Sequence, residues 1–154
     1  MVKTFDYTAL YAKVSRSLSI IGKRSADDQG NRLFADITLG SREKDIIEDY
    51  FRQAVIDLAA EMEAFITGET STTITITLPS NHNDALNTFI GNSCDEYCVS
   101  YALYSWFTIT APRISEKYLG DMKRQLSAVV RLIHEKSAPT GSADIVSSTS
   151  TVIT

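Results

Sequence analysis

Hydrophobic residues recur at helical spacing in four stretches of the chain. Within each stretch they lie three or four positions apart, which is the period of one face of an α-helix. The predicted helices lie near residues 6–22, 42–67, 83–108 and 113–136. The apolar stripe of the second helix consists of Ile47, Phe51, Val55, Leu58, Met62 and Phe65. The pattern predicts a mainly α fold, a helical bundle of about four long helices.

The last two predicted helices are separated by a short break at residues 110–112. Pro112 cannot continue the preceding helix, but it fits the first turn of the next one. We therefore expect the two helices to fold back as a hairpin that buries Trp106 and Phe107 near the bend. In this arrangement Trp106 is largely buried against the fourth helix.

Polar residues next to the stripes indicate where helices begin and end. Asp6, Ser41 and either Asn83 or Asp84 have side chains that can accept hydrogen bonds from the first turn of a helix. Gly68 follows the second stripe and is predicted to end that helix.

Residues 71–78 are predicted to form a β-strand, because Thr and apolar side chains alternate strictly from Thr73 to Leu78. Ile74, Ile76 and Leu78 share one face. A single strand must pair with something, and the internal candidates, 34–39 and 108–110, have weaker strand patterns. We therefore predict a small β insertion over 69–80 whose strand pairs at a contact with a neighbouring copy or another protein. A hairpin within the chain is the alternative.

The end of the chain has a different composition from the rest. Residues 140–154 are rich in Ser and Thr, and their few apolar side chains form two short β-prone patches. These patches are Ile145 with Val146, and Val152 with Ile153. The predicted organisation is a helical bundle domain over 1–139 followed by an extended C-terminal tail over 140–154. We expect the tail to lie against a partner, as an added strand.

Length and composition fit one ordinary globular domain. The chain has 154 residues, of which 44% are hydrophobic and 22% charged. No apolar run approaches the roughly 20 residues of a membrane span, and the first residues lack the apolar core of a signal peptide. The expected site of synthesis is a reducing cytosol.

Charge is distributed unevenly along the chain. Residues 1–24 hold five basic and one acidic side chain, residues 42–67 hold three basic and seven acidic, and residues 113–136 hold six basic and three acidic. Such asymmetry marks faces that meet other subunits or a polyanion, although solvated helix faces produce it as well.

The sequence contains no recognisable catalytic or cofactor signature. It has no Gly-rich phosphate loop, and its two histidines, His82 and His134, lie in separate segments. Cys94 and Cys98 lie four apart on one predicted helix, which suits two buried free thiols better than a disulfide. The sequence therefore predicts no enzyme, no metal site and no cofactor.

One local segment and the order of elements support a resemblance. Residues 101–110, Tyr-Ala-Leu-Tyr-Ser-Trp-Phe-Thr-Ile-Thr, precede a break, Tyr118, a Leu-containing helix and Ser137-Ala138-Pro139. This arrangement resembles small helical proteins encoded in the structural gene clusters of tailed bacteriophages, especially phages of gut bacteria. It is similar in particular to head–tail connector, or adaptor, proteins, over about residues 41–139.

The resemblance implies a structural virion protein without catalytic residues. Its expected fold is a helical bundle with a strand or hairpin insertion and extended termini. The expected assembly is a homo-oligomeric ring, dodecameric, between the portal protein and tail or stopper proteins. DNA would pass through without sequence recognition, and no membrane would be involved. Two alternatives stay open: another virion component such as a stopper or tail-terminator ring, or a nucleic-acid-binding helical protein using Lys13, Arg16, Lys23 and Arg24.

Overall fold

The computed structural model describes residues 1–24, 40–78 and 83–135. Within these ranges the fold is mainly helical, with a small antiparallel sheet. In chain order the elements are β1 (Val2–Asp6), α1 (Tyr7–Arg24), α2 (Ser41–Glu61), β2 (Phe65–Glu69), β3 (Thr73–Thr77), a 3-10 turn (Asp84–Leu86), α3 (Asn87–Thr110) and α4 (Pro112–His134). The predicted fold class, a bundle of four main helices with a small β insertion, is confirmed.

Helix α3 is the element that the other helices share. It packs against α4, and also against α2 and α1. Its buried residues lie on more than one side and include Ile90, Cys94, Tyr97 and Leu103. α4, by contrast, buries only Ser115, Tyr118, Val129 and Ile133. An outer helix with one apolar stripe and a central helix buried on several faces are what helix packing around one core requires.

The sheet has the order β1-β3-β2, with both pairs antiparallel. Phe5 lies opposite Ile74, and both side chains are fully buried, as is that of Ile76. This inner face lies on the helical core, and the half-buried ion pair between Lys3 and Asp95 (2.8 Å) ties β1 to α3. The predicted strand is therefore the central strand of the sheet.

The expectation that this strand pairs outside the chain is wrong, because both of its edges are occupied within the chain. The alternative, a hairpin within the chain, is confirmed, since β2 and β3 form an antiparallel hairpin. Its partners are β1 and β2, not the weak candidates at 34–39 and 108–110. β1 is short and directly precedes α1, where Asp6 was expected only as a helix cap. Asp6 does fill that role as well, since its carboxylate accepts hydrogen bonds from the Thr8 and Ala9 amides (2.8 and 3.3 Å).

Helix α2 ends at Glu61, six residues before the predicted end at 67. The Glu63 amide donates to the Ala60 carbonyl (3.3 Å) and the Ala64 amide to the Ala59 carbonyl (2.9 Å). Glu63 has φ 52°, in the left-handed region. This is a Schellman C-cap in which Glu63 occupies the position that usually holds glycine. Gly68, the predicted stop, lies instead in β2, beside an irregularity in its pairing with β3.

The predicted α3–α4 hairpin is present, with Pro112 in the first turn of α4. The Phe107 ring is buried and stacks on Tyr118, with ring centroids 5.6 Å apart. Trp106, which was predicted to be largely buried, is partly buried and packs against the margin of the core. Adjacent residues of a helix point in different directions, so Phe107 faces α4 while Trp106 lies at the edge of the core.

Asn83 caps the 3-10 turn before α3, where its side chain accepts a hydrogen bond from the Ala85 amide (3.1 Å). Gly40, not Ser41, occupies the N-cap position of α2. The predicted tail over 140–154 lies outside the described residues.

Candidate interaction surfaces

The sheet has an outer face that the helices do not cover. Antiparallel partners share a face, so Val2, Thr77 and Phe65 form a row across it, and Thr4 and Thr75 form the next row. The hydroxyls of Thr4 and Thr75 lie 3.0 Å apart. Val2 is 65% exposed and Phe65 is 72% exposed. We call these five residues the outer sheet face; two large apolar side chains flank its threonines.

β2 forms one edge of this sheet, and all five of its residues are exposed. Ile66, next to Phe65, is 44% exposed. An edge strand presents unpaired backbone amides and carbonyls on its outer side, and proteins usually protect such edges with charge, proline or a covering element. Within the described residues no further strand pairs with β2. The edge therefore offers both backbone hydrogen bonds and apolar side chains to a partner.

The turn between β2 and β3 is held by its own threonines and by α2. The Thr70 hydroxyl accepts hydrogen bonds from the amides of Thr72 (3.3 Å) and Thr73 (3.0 Å). At the end of β2, Arg52 Nε of α2 donates to Glu69 Oε1 (2.6 Å). This exposed pair lowers the pKa of the Glu69 carboxyl and raises that of the Arg52 guanidinium. Together these contacts fix the position of the hairpin tip against α2.

An open cleft of about 350 Å³ lies between the first half of α2 and the hairpin tip. Asp45, Glu48, Asp49 and Arg52 line it from α2, at positions i, i+3, i+4 and i+7 of one helix face. Its other lining residues are Tyr7, Glu69, Thr70 and Ser71. Four carboxylates therefore stand against one guanidinium, and we call this surface the acidic cleft.

Tyr7 contributes a buried polar atom to the acidic cleft. The residue is 5% exposed, and its ring packs beside Phe51, with centroids 6.1 Å apart. Among the described residues its hydroxyl has no hydrogen-bond partner. Burial raises the pKa of the hydroxyl, and the negative charge of Glu69 raises it further. A buried hydroxyl without a partner costs free energy, which a bound group could recover by hydrogen bonding to it.

Basic side chains line the outer side of α4. Arg113, Lys117, Arg124 and Arg131 follow each other at spacings of four, seven and seven, so they share one helix face, and all four are exposed. Gly120 lies on the same face, and a Cβ added there would meet nothing within 4 Å. Arg124 pairs with Asp121 (2.8 Å). We call the four basic residues the basic stripe; in the described structure Arg113 and Arg131 make no ion pair.

The structure brings the predicted interaction residues Ile74, Ile76 and Leu78 together, but in the core of the chain itself. Their exposed fractions are 0%, 0% and 3%. A partner at this sheet would meet the outer face and the β2 edge instead. The other predicted interaction residues, Ile145, Val146, Val152 and Ile153, lie outside the described residues.

The acidic cleft was not predicted from the sequence, although a signal was present. The excess of acidic residues over 42–67 includes side chains that share one face of α2. The spacing of Asp45, Glu48, Asp49 and Arg52 supplies that information. The contribution of Tyr7 and Glu69 depends on how β1 and β2 pair with β3, and those pairings were not predicted.

Cys94 and Cys98 are free thiols buried in α3, as predicted. Burial raises the pKa of the Cys94 thiol to about 12 and that of Cys98 well above its usual value. Both are therefore neutral, unreactive core residues near neutral pH. In residues 1–24, 40–78 and 83–135, no three His, Cys, Asp or Glu side chains are arranged to hold a metal ion.

Part of the basic charge near the N-terminus is neutralised within the fold. Lys13 Nζ lies 3.3 Å from Glu96 Oε1 and 3.8 Å from Asp95 Oδ2, and Lys3 also pairs with Asp95. Arg16 is exposed. The side chains of Lys23 and Arg24 are not described.

None of the helices in the described part of the chain has the length and apolar character needed to cross a bilayer.

A scan against models of known protein families finds no match, and neither curated proteins nor solved structures show a significant similarity to this chain.

Proposed function

We propose that this chain is a structural subunit that assembles into a ring, as a head–tail connector of a tailed bacteriophage. The single observation that carries the proposal is the β2 edge with its flanking apolar residues. A strand that is exposed along its whole length, next to Phe65 at 72% exposure, is a surface suited to a protein partner.

Contacts around β2 hold the strand in a fixed position, as a binding surface requires. The strand is held in place at its end by the Arg52–Glu69 ion pair, and its turn is closed by Thr70. A partner meeting this edge would find a fixed backbone, so little conformational entropy would be lost on binding. The proposed role also agrees with the sequence resemblance described above, in which a strand or hairpin is inserted into a helical bundle.

The nucleic-acid-binding alternative receives less support from α1, because Lys13 forms ion pairs with Asp95 and Glu96 that offset part of its charge. A stopper or tail-terminator ring would use the same kind of surface. The β2 edge therefore supports a ring-forming protein, but it does not distinguish a connector from a stopper or a tail terminator. Under the proposal, the partners above and below the ring are the portal and a tail or stopper protein.

The test is self-assembly of the purified full-length chain, measured by mass photometry and negative-stain electron microscopy. The wild type is expected to form closed rings. The variant Phe65→Lys places a charge in the proposed contact and is expected to lower self-association by at least tenfold. A wild-type protein that stays monomeric at every concentration would contradict the ring.

The matched control is Phe89→Lys, because Phe89 is also a largely exposed phenylalanine (63%) but lies at the start of α3. It should assemble like the wild type. If Phe65→Lys and Phe89→Lys assemble equally well, the β2 edge is not the contact. Circular dichroism of each variant verifies that the helices are retained.

A further inference from the structure

We infer that the acidic cleft of one copy receives the basic stripe of the next copy, so that neighbouring subunits are joined head to tail. The inference rests on the proposed ring and names the contact that closes it. The occupant of the cleft is α4 of a second copy of this chain, and its arginine and lysine side chains are the groups that the cleft binds.

The charge of the cleft selects a cationic occupant. Asp45 and Asp49 are exposed, and neither makes an ion pair among the described residues; the one cation lining the cleft, Arg52, already pairs with Glu69. Glu48, which is half-buried, lies 3.6 Å from Lys44 in an i,i+4 ion pair of modest strength. Within the described part of the chain, these carboxylates are not arranged to hold a metal ion. A guanidinium or ammonium group, which can bond to several separated oxygens, fits this arrangement.

Tyr7 gives independent evidence that something binds in the cleft. It is 95% buried, since only 5% is exposed, and yet its hydroxyl lacks a partner within the described structure. An arginine reaching into the cleft can donate a hydrogen bond to the phenol oxygen, or the hydroxyl can donate one to a carboxylate oxygen once the site is occupied. Few buried hydroxyls in folded proteins remain unpaired, so an occupied cleft accounts for this one.

The basic stripe has the complementary chemistry and is free to reach a neighbour. Its four cationic side chains are exposed, and the open surface at Gly120 lets another chain approach α4 closely. Among the described residues Arg113 and Arg131 have no carboxylate partner, while Lys117 lies over the ring of Tyr118, 5.6 Å from its centroid.

The positions of the two surfaces determine what kind of assembly they form. The cleft is built on α2 and the hairpin tip, whereas the stripe lies on α4, which packs against α3 and makes no comparable contact with α1 or α2. Two different surfaces that fit each other form a heterologous contact, which produces a ring when the rotation closes. The cleft is also continuous with the β2 edge, because Glu69 belongs to both.

Two charge-reversed variants test the contact. In the cleft variant Asp45→Arg and Asp49→Arg are combined; in the stripe variant Lys117→Glu and Arg131→Glu are combined. Each variant alone places like charges in every contact of the ring, so its self-association is expected to weaken by at least tenfold in mass photometry. Circular dichroism and thermal unfolding show whether each monomer keeps its fold.

Mixing the two variants gives the sharpest result. In an alternating ring, the reversed cleft of one variant meets the reversed stripe of the other, and the two unaltered surfaces meet at the next contact. Every contact is then complementary, so the equimolar mixture is expected to form rings that neither variant forms alone. A chain carrying all four substitutions should also assemble. This restoration cannot arise from a general loss of stability.

Control substitutions separate the contact from the overall charge. Glu61→Lys changes an exposed residue of α2 outside the cleft, and Arg16→Glu changes an exposed residue of α1. Both should leave assembly unchanged. Tyr7→Phe removes the unpaired hydroxyl and is expected to weaken assembly about fivefold or more without destabilising the monomer. Tyr50→Phe, a half-buried tyrosine of α2 outside the cleft, is its control.

The possible outcomes are distinct. If the wild type forms rings and both reversed variants form them equally well, the contact is wrong while the proposed ring stands. If the reversed variants fail and the mixture also fails, the two surfaces do not meet each other, and the inference is wrong. If the wild type forms no assembly, both the ring and this contact are wrong.

Discussion

The two faces of the sheet differ in what they do for the molecule. On the inner face Phe5, Ile74 and Ile76 are fully buried against the helices. On the outer face Val2 and Phe65 are 65% and 72% exposed, on either side of Thr77. The inner residues are explained by the fold of a single chain. The outer residues are not, which is why we assign the outer face and its β2 edge to contacts between chains.

The largest expected effect distinguishes the two faces within one strand. Phe5→Ala removes a fully buried ring and should lower the free energy of unfolding by about 3–5 kcal/mol. Val2→Ala, three residues earlier on the outer face, should change it by no more than about 0.5 kcal/mol. Chemical denaturation followed by circular dichroism measures both. Similar losses for the two variants would contradict the assignment of the faces.

A second prediction concerns the buried side of α3, where the pKa of the Cys94 thiol is raised from 9.0 to about 12. Because the pKa is raised, the folded state favours the neutral thiol. The resulting stabilisation is complete below pH 9.0 and is lost as the pH rises toward about 12. At pH 9 an alkylating reagent should modify the folded protein at least about a hundredfold more slowly than the unfolded chain. Equal rates would place the thiol at the surface.

A third prediction concerns the turn that directs the chain from α2 into the exposed strand. Glu63 adopts φ 52° at the position directly after the C-cap residue Met62, where glycine is preferred. Glu63→Gly should raise the free energy of unfolding by about 0.5–1 kcal/mol. The matched control Glu61→Gly, in the last turn of α2, should lower it by up to about 1 kcal/mol. If both substitutions destabilise the protein, the Schellman cap is wrong.

The smallest expected effect is on the outer face. Phe65→Lys should change the free energy of unfolding of the monomer by less than about 0.5 kcal/mol, because the side chain is 72% exposed. The same substitution is expected to weaken self-association at least tenfold. These two results together would show that Phe65 contributes little to the stability of the monomer and much to self-association. A large loss of monomer stability would remove that contrast.

The helices could be predicted from the sequence because their information is local. The stripe from Ile47 to Met62 and the break at Pro112 each lie within one segment, and the structure confirms both. The end of α2 could not be predicted in the same way. Phe65 continues the helical spacing, but the Schellman cap at Glu63 ends the helix before it. This cap has no sequence signal, because a glutamate occupies the position that glycine usually holds.

The sheet shows the other limit of sequence reasoning. The alternation over 71–78 identified β3, yet its partners depend on contacts between residues far apart in the chain, such as Phe5 with Ile74. Neither Val2–Asp6 nor Phe65–Glu69 has a comparably strong alternating pattern. The acidic cleft depends on the same pairings, since Tyr7 and Glu69 reach it only when β1 and β2 flank β3. Only the residues that α2 contributes to the cleft could be predicted from their spacing in the sequence.

The particle mass of the wild-type chain decides whether the chain forms a ring. The measurement is mass photometry of the purified full-length protein over a range of concentrations, at low salt where contacts between charged surfaces are least screened. We expect one closed species at a defined multiple of 17.0 kDa, near twelve copies, that dissociates as salt is added. A particle of 17.0 kDa at every concentration and salt would contradict it.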